Sequence, residues 1–251
     1  MDNRDILNRE FSAQNFAGEA QYAELLARYK DTASNYALVE NAIAVLSDLR
    51  TNESYIFYGR FTQMLPVGKR ENSGTLPSIW EDEIFRIVHP DDLADKHLQE
   101  LCFFNFVRRK PKKMRTNYYL TSKLRMRTGP NSYMQVLHRM YYILDPKSEA
   151  IWLALCLYSP LAFDIPAKCL VVDSISGQTF ELQKQDNSGI LSVREKQVLS
   201  LISKGLLSKE IADTLCISVN TVSRHRQEIL SKLQVKNSIE ACRIAKDLRL
   251  I

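Results

Sequence analysis

Residues 206–233 read LLSKEIADTLCISVNTVSRHRQEILSKL, and this stretch decides the fold of the C-terminal quarter of the chain. Ser208 and Ser218 each precede a run with apolar residues at helical spacing, and a serine in that position caps a helix. Cys216 and Ile217 alone separate the first run from the second cap. Two short helices joined by so few residues are typical of a helix-turn-helix.

Two more helices flank this pair. Ser192 followed by Glu195 matches a capping box, which starts a helix, and Gly205 ends that helix where a left-handed residue costs little. After the pair, Asn237 or Ser238 caps a further helix. The sequence therefore predicts an all-α domain of four helices at the C-terminal end.

The net charge of the chain is concentrated in this domain. Residues 190–251 contain 11 Lys and Arg against 6 Asp and Glu, whereas residues 1–189 contain 23 of each. The whole net charge of +5 therefore lies in the last quarter. A compact basic module beside a neutral one is the electrostatic pattern of a nucleic-acid binder.

The third of the four helices has two different sides at about 100° per residue. One side is apolar and predicted to be core: Val219, Val222, Ile229, Leu230 and Leu233. The other side is polar in its first turns: Asn220, Ser223, Arg224 and Gln227. Arginine can form two hydrogen bonds to guanine, and glutamine can do the same to adenine. A solvated face is the alternative, but the position in a basic helix-turn-helix favours base reading.

The segment resembles the LuxR-type DNA-binding domain over some 60 residues without a gap. The similarity is carried by Leu191-Ser192, Arg194-Glu195, residues 206–212, Ile217-Ser218, Thr221-Val222, His225-Arg226, Ile229-Leu230, Lys232-Leu233, Val235 and Glu240-Ala241. The resemblance implies that the third helix lies in the major groove of double-stranded DNA, with Ser223, Arg224 and Gln227 facing bases. It also implies candidates for contacts to the DNA backbone: Lys209, Thr221, His225 and Lys232. Family members often carry lysine at the positions of Ser223 and Gln227, so the preferred base sequence stays open.

Two residues of the third helix have alternative interpretations. His225 could act as a proton switch, but within a DNA-reading helix a phosphate donor or a packing residue is the favoured interpretation. Arg226 falls on the core side, where we expect its stem to lie along apolar neighbours and its guanidinium to pair with Glu195 or Glu210.

The fourth helix is apolar on more sides than one domain can cover. The residues that we expect at a contact between two copies are Ile239, Cys242, Ala245 and Leu248. In the LuxR-type family this helix forms a dimer contact. The resemblance therefore implies a homodimer on DNA, bound to two half-sites about one turn apart.

The rest of the chain predicts an antiparallel sheet with helices on one side, so the fold class is α+β. We divide it into a helical segment (1–37), a sheet domain (38–160) and a hairpin with a polar linker (161–189). The expected strands, recognised by alternation or by short apolar runs between turns, are 44–49, 54–58, 120–127, 133–144 and 151–158. Residues 60–105 carry mostly turn and helix patterns.

This order of elements resembles a PAS domain over residues 38–158. His89-Pro90-Asp91-Asp92 is similar to an element found midway through many PAS domains, and residues 124–129 with the aromatic strand that follows are similar to their final hairpin. The resemblance implies a domain that senses a small molecule, a redox or light-responsive cofactor, or a partner protein. His138, Met140 and Tyr142 share one strand face and are candidate pocket residues, although a hydrogen-bonded core is the commoner role of such a histidine. The cysteine motif of flavin-binding PAS domains is absent, and the cofactor stays unassigned.

Several other classes of function are disfavoured. The sequence has no Gly-rich phosphate loop, no nucleophile motif and no metal-ligand spacing among its five cysteines, so we do not expect an enzyme. No apolar run approaches the ~20 residues that span a bilayer, and no leader pattern is present, so we expect a soluble cytoplasmic protein. Six positive charges in residues 108–115 suggest an exposed loop. An interaction or scaffold protein whose C-terminal helices dock another protein is the alternative to a DNA-binding regulator.

Overall fold

The computed structural model describes residues 3–16, 22–67, 73–148, 150–182, 191–233, 235, 237–247 and 250–251. The chain divides into two compact units, residues 7–181 and residues 182–251 together with residues 1–6. Within the described ranges, no helix combines the length and the apolar character needed to cross a membrane.

The first unit is built on one antiparallel sheet. Its strands are β1 (Ile43–Asp48), β2 (Glu53–Tyr58), β3 (Ser73–Leu76), β4 (Tyr118–Gly129), β5 (Ser132–Leu144), β6 (Ile151–Pro160), β7 (Cys169–Asp173) and β8 (Thr179–Phe180). They lie in the order β3-β2-β1-β6-β5-β4-β7-β8. The strand β6 is buried along almost its whole length, as its uninterrupted apolar sequence predicts. This sheet, followed by a helical unit, confirms the α+β fold class.

Helices lie on both faces of the sheet. The two long ones are α2 (Tyr22–Val39) and α4 (Pro90–Arg108). The same part of the chain also contains α1 (Asn3–Ser12), α3 (Asp82–Phe85), α5 (Lys112–Arg115) and a 3₁₀ turn at Arg60–Met64. Ala33 and Ala37 of α2 pack in one core cluster with Leu155 and its neighbours on β6. The intervening residue Cys156 shares a cavity with residues of α4, and adjacent strand residues point to opposite faces. The prediction of helices on one side only is therefore wrong.

Three further features of this unit differ from the sequence predictions. The edge strand β3 was not predicted, because Ser-Gly-Thr-Leu has no apolar alternation. The strand β7 of the predicted separate hairpin pairs with β4 and so belongs to the sheet. The exposed loop predicted for the basic run at 108–115 is confined to residues 109–111, because Arg108 ends α4 and Lys112–Arg115 form the single turn α5. The polar linker predicted up to residue 189 lies outside the described residues from 183 onward.

Gly59 occupies a close approach of three chain segments. Its amide donates to the carbonyl of Ala42 at 2.7 Å. A Cβ at this position would lie 2.3 Å from the carbonyl oxygen of Ala37 and 2.6 Å from that of Ala42. Because these atoms are backbone, only glycine fits between the end of α2, β1 and the 3₁₀ turn.

The second unit contains the four predicted helices: α6 (Val193–Ser203), α7 (Ser208–Leu215), α8 (Val219–Lys232) and α9 (Ser238–Asp247). The capping box of α6 is present, since the Ser192 amide donates to Glu195 Oε2 at 2.6 Å and the Glu195 amide donates to Ser192 Oγ at 3.3 Å. Gly205, with φ of 86°, follows the end of α6 as predicted.

The caps of the other helices are mostly those predicted. Ser218 Oγ accepts from the Thr221 amide at 3.0 Å, and Asn237 Oδ1 accepts from the Glu240 amide at 2.9 Å. The predicted cap of α7 is wrong by one residue, because Ser208 is already helical and the preceding amide, that of Leu207, donates to the Glu210 carboxylate at 2.7 Å.

The turn between α7 and α8 contains a strained residue. Cys216 ends α7 in the left-handed region, with φ of 52° and ψ of 48°. A non-glycine residue pays a steric cost there, and the sharp reversal lets α8 begin at Val219, only three residues later. The thiol-bearing residue is exposed.

The core of the second unit lies between α6 and the three following helices. Its fully buried members include Val198, Leu199, Ile211, Val222, Ile229 and Ala241. Val219 was predicted to be core, but it is 41% exposed because it stands in the first turn of α8, beyond the edge of the packed face.

Candidate nucleic-acid interface and buried polar cluster

The predicted base-reading residues share one exposed side of α8: Asn220, Ser223, Arg224 and Gln227. Their spacing of three and four residues places them above one another on the helix. The Arg224 side chain is 68% exposed, with Nε 3.6 Å from Glu228 Oε1. Ser223 Oγ donates to the Val219 carbonyl at 3.1 Å, which leaves the oxygen able to accept a hydrogen bond. This side of α8 therefore offers donors and acceptors of the kinds that base edges bind.

Three of the predicted backbone-contact residues differ in how accessible they are. Lys209 is exposed on α7. Thr221 is half-buried, with Oγ1 2.8 Å from Ser218 Oγ. The His225 side chain is only 12% exposed, and its Nδ1 lies 3.3 Å from Glu228 Oε2. Lys209 is thus the one among these three whose whole side chain can reach a phosphate without displacing neighbours.

The fourth of these residues, Lys232, is bound within the domain. Its Nζ donates to Glu195 Oε1 at 2.6 Å and to Oε2 at 2.8 Å. Burial opposes the charge of Glu195, but hydrogen bonds from Lys232 and from the Ser192 amide lower its pKa. The family resemblance implies a contact of Lys232 with the DNA backbone, which stays a prediction; in the structure its ammonium group binds the buried carboxylate of Glu195.

Arg226 connects three helices. Its guanidinium donates to Ser208 Oγ of α7 at 2.8 Å and to Ser238 Oγ of α9 at 3.2 Å. The predicted pairing with Glu195 or Glu210 is wrong, because Lys232 occupies Glu195 and Glu210 accepts from the start of α7. Arg226 therefore fixes the positions of the neighbouring helices relative to α8.

The predicted dimer residues of α9 do not share one surface. Ile239 is 85% exposed, and Cys242 is half-buried with Sγ 3.9 Å from the Leu199 carbonyl. Ala245 is fully buried inside the domain, so its assignment to a contact between copies is wrong. Leu248 lies outside the described residues. Ile239 borders a groove together with Leu206, Leu207 and Cys242.

Comparison with known proteins identifies the class of the second unit. Residues 189–245 match the family described as "Bacterial regulatory proteins, luxR family". The C-terminal unit is thus a LuxR-family helix-turn-helix domain, as its sequence predicts.

Among curated proteins, the oxygen regulatory protein NreC of Staphylococcus haemolyticus is 38% identical over 71 residues, which is 28% of this chain and 33% of that protein. NreC of Staphylococcus carnosus is 44% identical over 62 residues, 25% of this chain and 29% of that protein. The chain therefore matches about a third of the length of these relatives.

Two solved structures have a low overall similarity to the whole chain. A phage VqmA in complex with DPO is 13% identical, covers 90% of both chains and has a TM-score of 0.32. SdiA of Escherichia coli is 16% identical, covers 99% of this chain and 97% of that chain, and has a TM-score of 0.26.

The predicted pocket residues of the first unit lie on β5 and face α4. His138, Met140 and Tyr142 are all buried. The Tyr142 ring stacks on that of Phe103, with centroids 5.1 Å apart. A cavity of about 30 Å³ beside them is bordered by Met140, and it has room for about one water molecule. The structure therefore places these residues in a packed core with a water-sized cavity.

A buried charged pair that the sequence interpretation missed lies beside this cavity. Lys96 Nζ donates to Glu100 Oε1 at 2.5 Å, and both residues are at most 3% exposed. Burial opposes the charge on Lys96, yet Glu100 and Glu81 together raise its pKa. Burial raises the pKa of Glu100 even though Lys96 acts against this. Lys and Glu four residues apart normally form an exposed pair on a helix, so the spacing alone gave no sign of burial.

Two more polar groups complete the buried cluster. Glu81 accepts a hydrogen bond from the Tyr158 hydroxyl at 2.8 Å. His138 Nδ1 lies 3.2 Å from Ser122 Oγ, and its Nε2 lies 3.9 Å from Glu100 Oε1 with no hydrogen-bond partner among the described residues. Burial, helped by the charge of Lys96, holds the pKa of His138 well below its usual value, so the ring is neutral.

Proposed function

We propose that the protein is a sequence-specific DNA-binding transcription regulator that acts in the cytoplasm. The observation that carries this proposal is the LuxR-family match of residues 189–245 to a unit whose α8 exposes four polar side chains. In this proposal α8 lies in the major groove, where Arg224 and Gln227 bond base edges and Asn220 and Ser223 add shorter-range contacts.

In the same proposal, groups near the N-terminus of α8 bind the DNA backbone and so position the helix on the duplex. Lys209 binds a phosphate as a point charge, and the Thr221 side chain and the first backbone amides of α8 add hydrogen bonds. His225 reaches the backbone only through its exposed edge. These contacts hold the register of the helix but do not select bases.

We further propose that two copies bind together on DNA. Ile239 supplies an exposed apolar side chain on α9, and the neighbouring groove with Cys242 extends that surface. An aliphatic residue that is 85% exposed gains free energy when a second copy covers it. Two-fold symmetry would then match two half-sites about one DNA turn apart.

The first unit is proposed to be a PAS-like sensor whose ligand or protein partner modulates DNA binding. In its His-Pro-Asp-Asp element, His89 Nδ1 caps α4 by accepting from the Asp91 amide at 3.3 Å. Asp92 accepts from the amide and the guanidinium of Arg125 on β4, at 2.8 and 2.9 Å. The element thus attaches the start of α4 to β4. The buried polar cluster, to which α4 contributes Lys96 and Glu100, is the place where we propose that a signal is received.

The proposal is tested by selecting random DNA duplexes with the full-length protein and by mapping its bound sites across the genome. The expected result is one enriched motif with two half-sites about 10 base pairs apart. Binding that ignores sequence, or no binding at all, would favour the alternative of an interaction protein whose C-terminal helices dock another protein.

A further inference from the structure

We propose that Glu100, His138 and Cys156 form a binding site for one divalent transition metal ion in the first unit. Their donor atoms, a carboxylate oxygen, an imidazole nitrogen and a thiol sulfur, all lie within 4.8 Å of one another, and all three residues are buried. The three donors come from α4, β5 and β6, so the fold itself brings them together.

The geometry of the sheet accounts for this placement. His138 pairs with Tyr158, and Met140 pairs with Cys156, so His138 and Cys156 are diagonal neighbours on one face of adjacent strands. The helix α4 lies over that face and contributes Glu100. Bonds of ~2.0–2.3 Å place the ligands of a tetrahedral zinc ion roughly 3.3–3.7 Å apart. At present His138 Nε2 lies 3.9 Å from Glu100 Oε1 and all three donor atoms lie within 4.8 Å of one another, so the side chains must approach by about 1 Å to reach these values.

His138 is prepared as a ligand. Ser122 Oγ holds its Nδ1, which fixes the orientation of the ring, and the unpartnered Nε2 is directed toward Glu100. A second ring nitrogen held by an outer hydrogen bond is the usual arrangement of metal-binding histidines. A buried nitrogen with no partner costs free energy, and a metal ion removes that cost.

The charge balance of the cluster favours a cation. Glu81 and Glu100 are two buried carboxylates beside the single ammonium group of Lys96. When a divalent ion binds, the Cys156 thiol loses its proton to solvent and the sulfur bonds to the metal. The two carboxylates, the thiolate, the ammonium group and the ion then sum to neutrality, with Lys96 remaining near Glu81.

The donor set also selects the kind of metal. Imidazole and thiolate prefer zinc and other transition metals, whereas magnesium and calcium prefer oxygen ligands alone. The water-sized cavity borders both Glu100 and Cys156 and offers a place for a water molecule as fourth ligand. Three protein ligands and one exchangeable position form an open site, and the cavity limits the exchangeable ligand to about the size of a water molecule.

Titration of the full-length protein with Co²⁺ tests the site, because cobalt reports its ligands by absorption. We expect about one ion per chain, with the intense visible bands of four-coordinate cobalt and a near-ultraviolet thiolate-to-cobalt charge-transfer band. Zn²⁺ should displace the cobalt and abolish both. A trapped water molecule that joins His138 Nε2 to Glu100 would satisfy the same atoms, and in that case no charge-transfer band forms and the proposal is wrong.

Single substitutions test whether the charge-transfer band arises from Glu100, His138 and Cys156. Cys156→Ser should abolish the charge-transfer band, whereas Cys102→Ser, which also removes a buried thiol, should keep it. A second group of potential ligands, Glu195, His225 and Glu228, has no sulfur and cannot give this band, so His225→Asn should leave it unchanged. A band that persists in Cys156→Ser overturns the assignment. If that variant does not fold, Glu100→Gln replaces it and should weaken cobalt binding at least tenfold; unchanged binding overturns the proposal.

The inference deepens the proposed sensor role, but its test needs no DNA. Cobalt binding without sequence-selective DNA enrichment would overturn the regulator proposal alone. DNA enrichment without the charge-transfer band would overturn the metal site alone.

Discussion

Lys232, in the last turn of α8, binds both carboxylate oxygens of Glu195, at 2.6 and 2.8 Å, although Glu195 stands in the first turn of α6. The same carboxylate accepts from the Ser192 amide at the start of α6. One buried acidic residue therefore both caps α6 and anchors the end of α8.

Loss of this anchor should reduce the stability of the C-terminal unit. Lys232→Ala leaves Glu195, whose side chain is 1% exposed, without its cation, whereas the side chain of Lys232 is 43% exposed. We expect a loss of about 1–2 kcal/mol, between the values for exposed and buried ion pairs. Urea denaturation of the variant measures it. Lys209→Ala is the matched control, with unchanged stability but weaker binding to all DNA sequences and a flatter salt dependence. Equal stability of the two variants would contradict the role of the pair.

Replacement of Arg224 should affect base selection. Arg224→Ala removes an exposed guanidinium from the polar side of α8, and we expect specific binding to weaken by about 1–3 kcal/mol with relaxed base preference. Fluorescence anisotropy on the selected motif and on its single-base variants checks this. Arg60→Ala makes the same change of charge in the first unit and should alter neither affinity nor preference. Full discrimination retained by Arg224→Ala would exclude this residue from base reading.

A charge on α9 should separate the two copies on DNA. Ile239→Asp places a carboxylate where the proposed partner packs, so each half-site should be bound independently and with lower affinity. Sedimentation of protein–DNA complexes distinguishes one bound copy from two. Val193→Asp is the control, because Val193 is also exposed, at 74%, but lies on α6. Cooperative binding that survives in Ile239→Asp would show that α9 is not the contact.

Acid should weaken the attachment of α4 to the sheet. Burial opposes the charge of Asp92, but hydrogen bonds from Arg125 and Lys168 lower its pKa to about 2 from 3.8. A depressed pKa contributes stability above the unfolded value, and that contribution disappears as the pH falls from about 4 to about 2. Asp92→Asn should cost about 1–2 kcal/mol at pH 7 and lose this part of the acid dependence. Urea midpoints between pH 2 and pH 7 measure the effect, and Asp31→Asn, an exposed aspartate of α2, should keep the acid dependence of the unmodified protein.

The contact at Gly59 gives a test of packing without any charge. Gly59→Ala would put a methyl group within 2.3 Å of a backbone oxygen, so we expect a loss of more than about 2 kcal/mol. Gly74→Ala, where nothing lies within 4 Å, should change stability by less than about 0.5 kcal/mol. The midpoints of thermal unfolding of the two variants measure the difference in stability. Similar midpoints would mean that the backbone around residue 59 moves to accommodate the methyl group.

The sequence predicted the second unit well because its signals are local. Each helix cap joins two residues that are three positions apart in the sequence, as at Ser192 with Glu195, at Ser218 and at Asn237. A short stretch of sequence is therefore enough to recognise it. The exposed side of α8 follows from helical spacing in the same way.

The sequence predictions that were wrong or absent concern side chains whose contacts are with residues distant in the sequence. Ala245 could not be separated from Ile239 by a helical pattern, because α9 is apolar on several sides and only packing shows which side is covered. Arg226 finds hydroxyl groups 18 and 12 residues away instead of a carboxylate. The ion pair of Lys96 and Glu100 is buried because this side of α4 packs against the sheet. The spacing of residues along the helix does not indicate which side is covered.

The left-handed turn at Cys216 has a practical consequence. Among the five cysteines, those at 102 and 156 are buried and those at 169 and 242 are half-buried, which leaves Cys216 as the exposed thiol. A maleimide dye should therefore label the unmodified protein first at the junction of α7 and α8, and its emission would follow the approach of a duplex in real time.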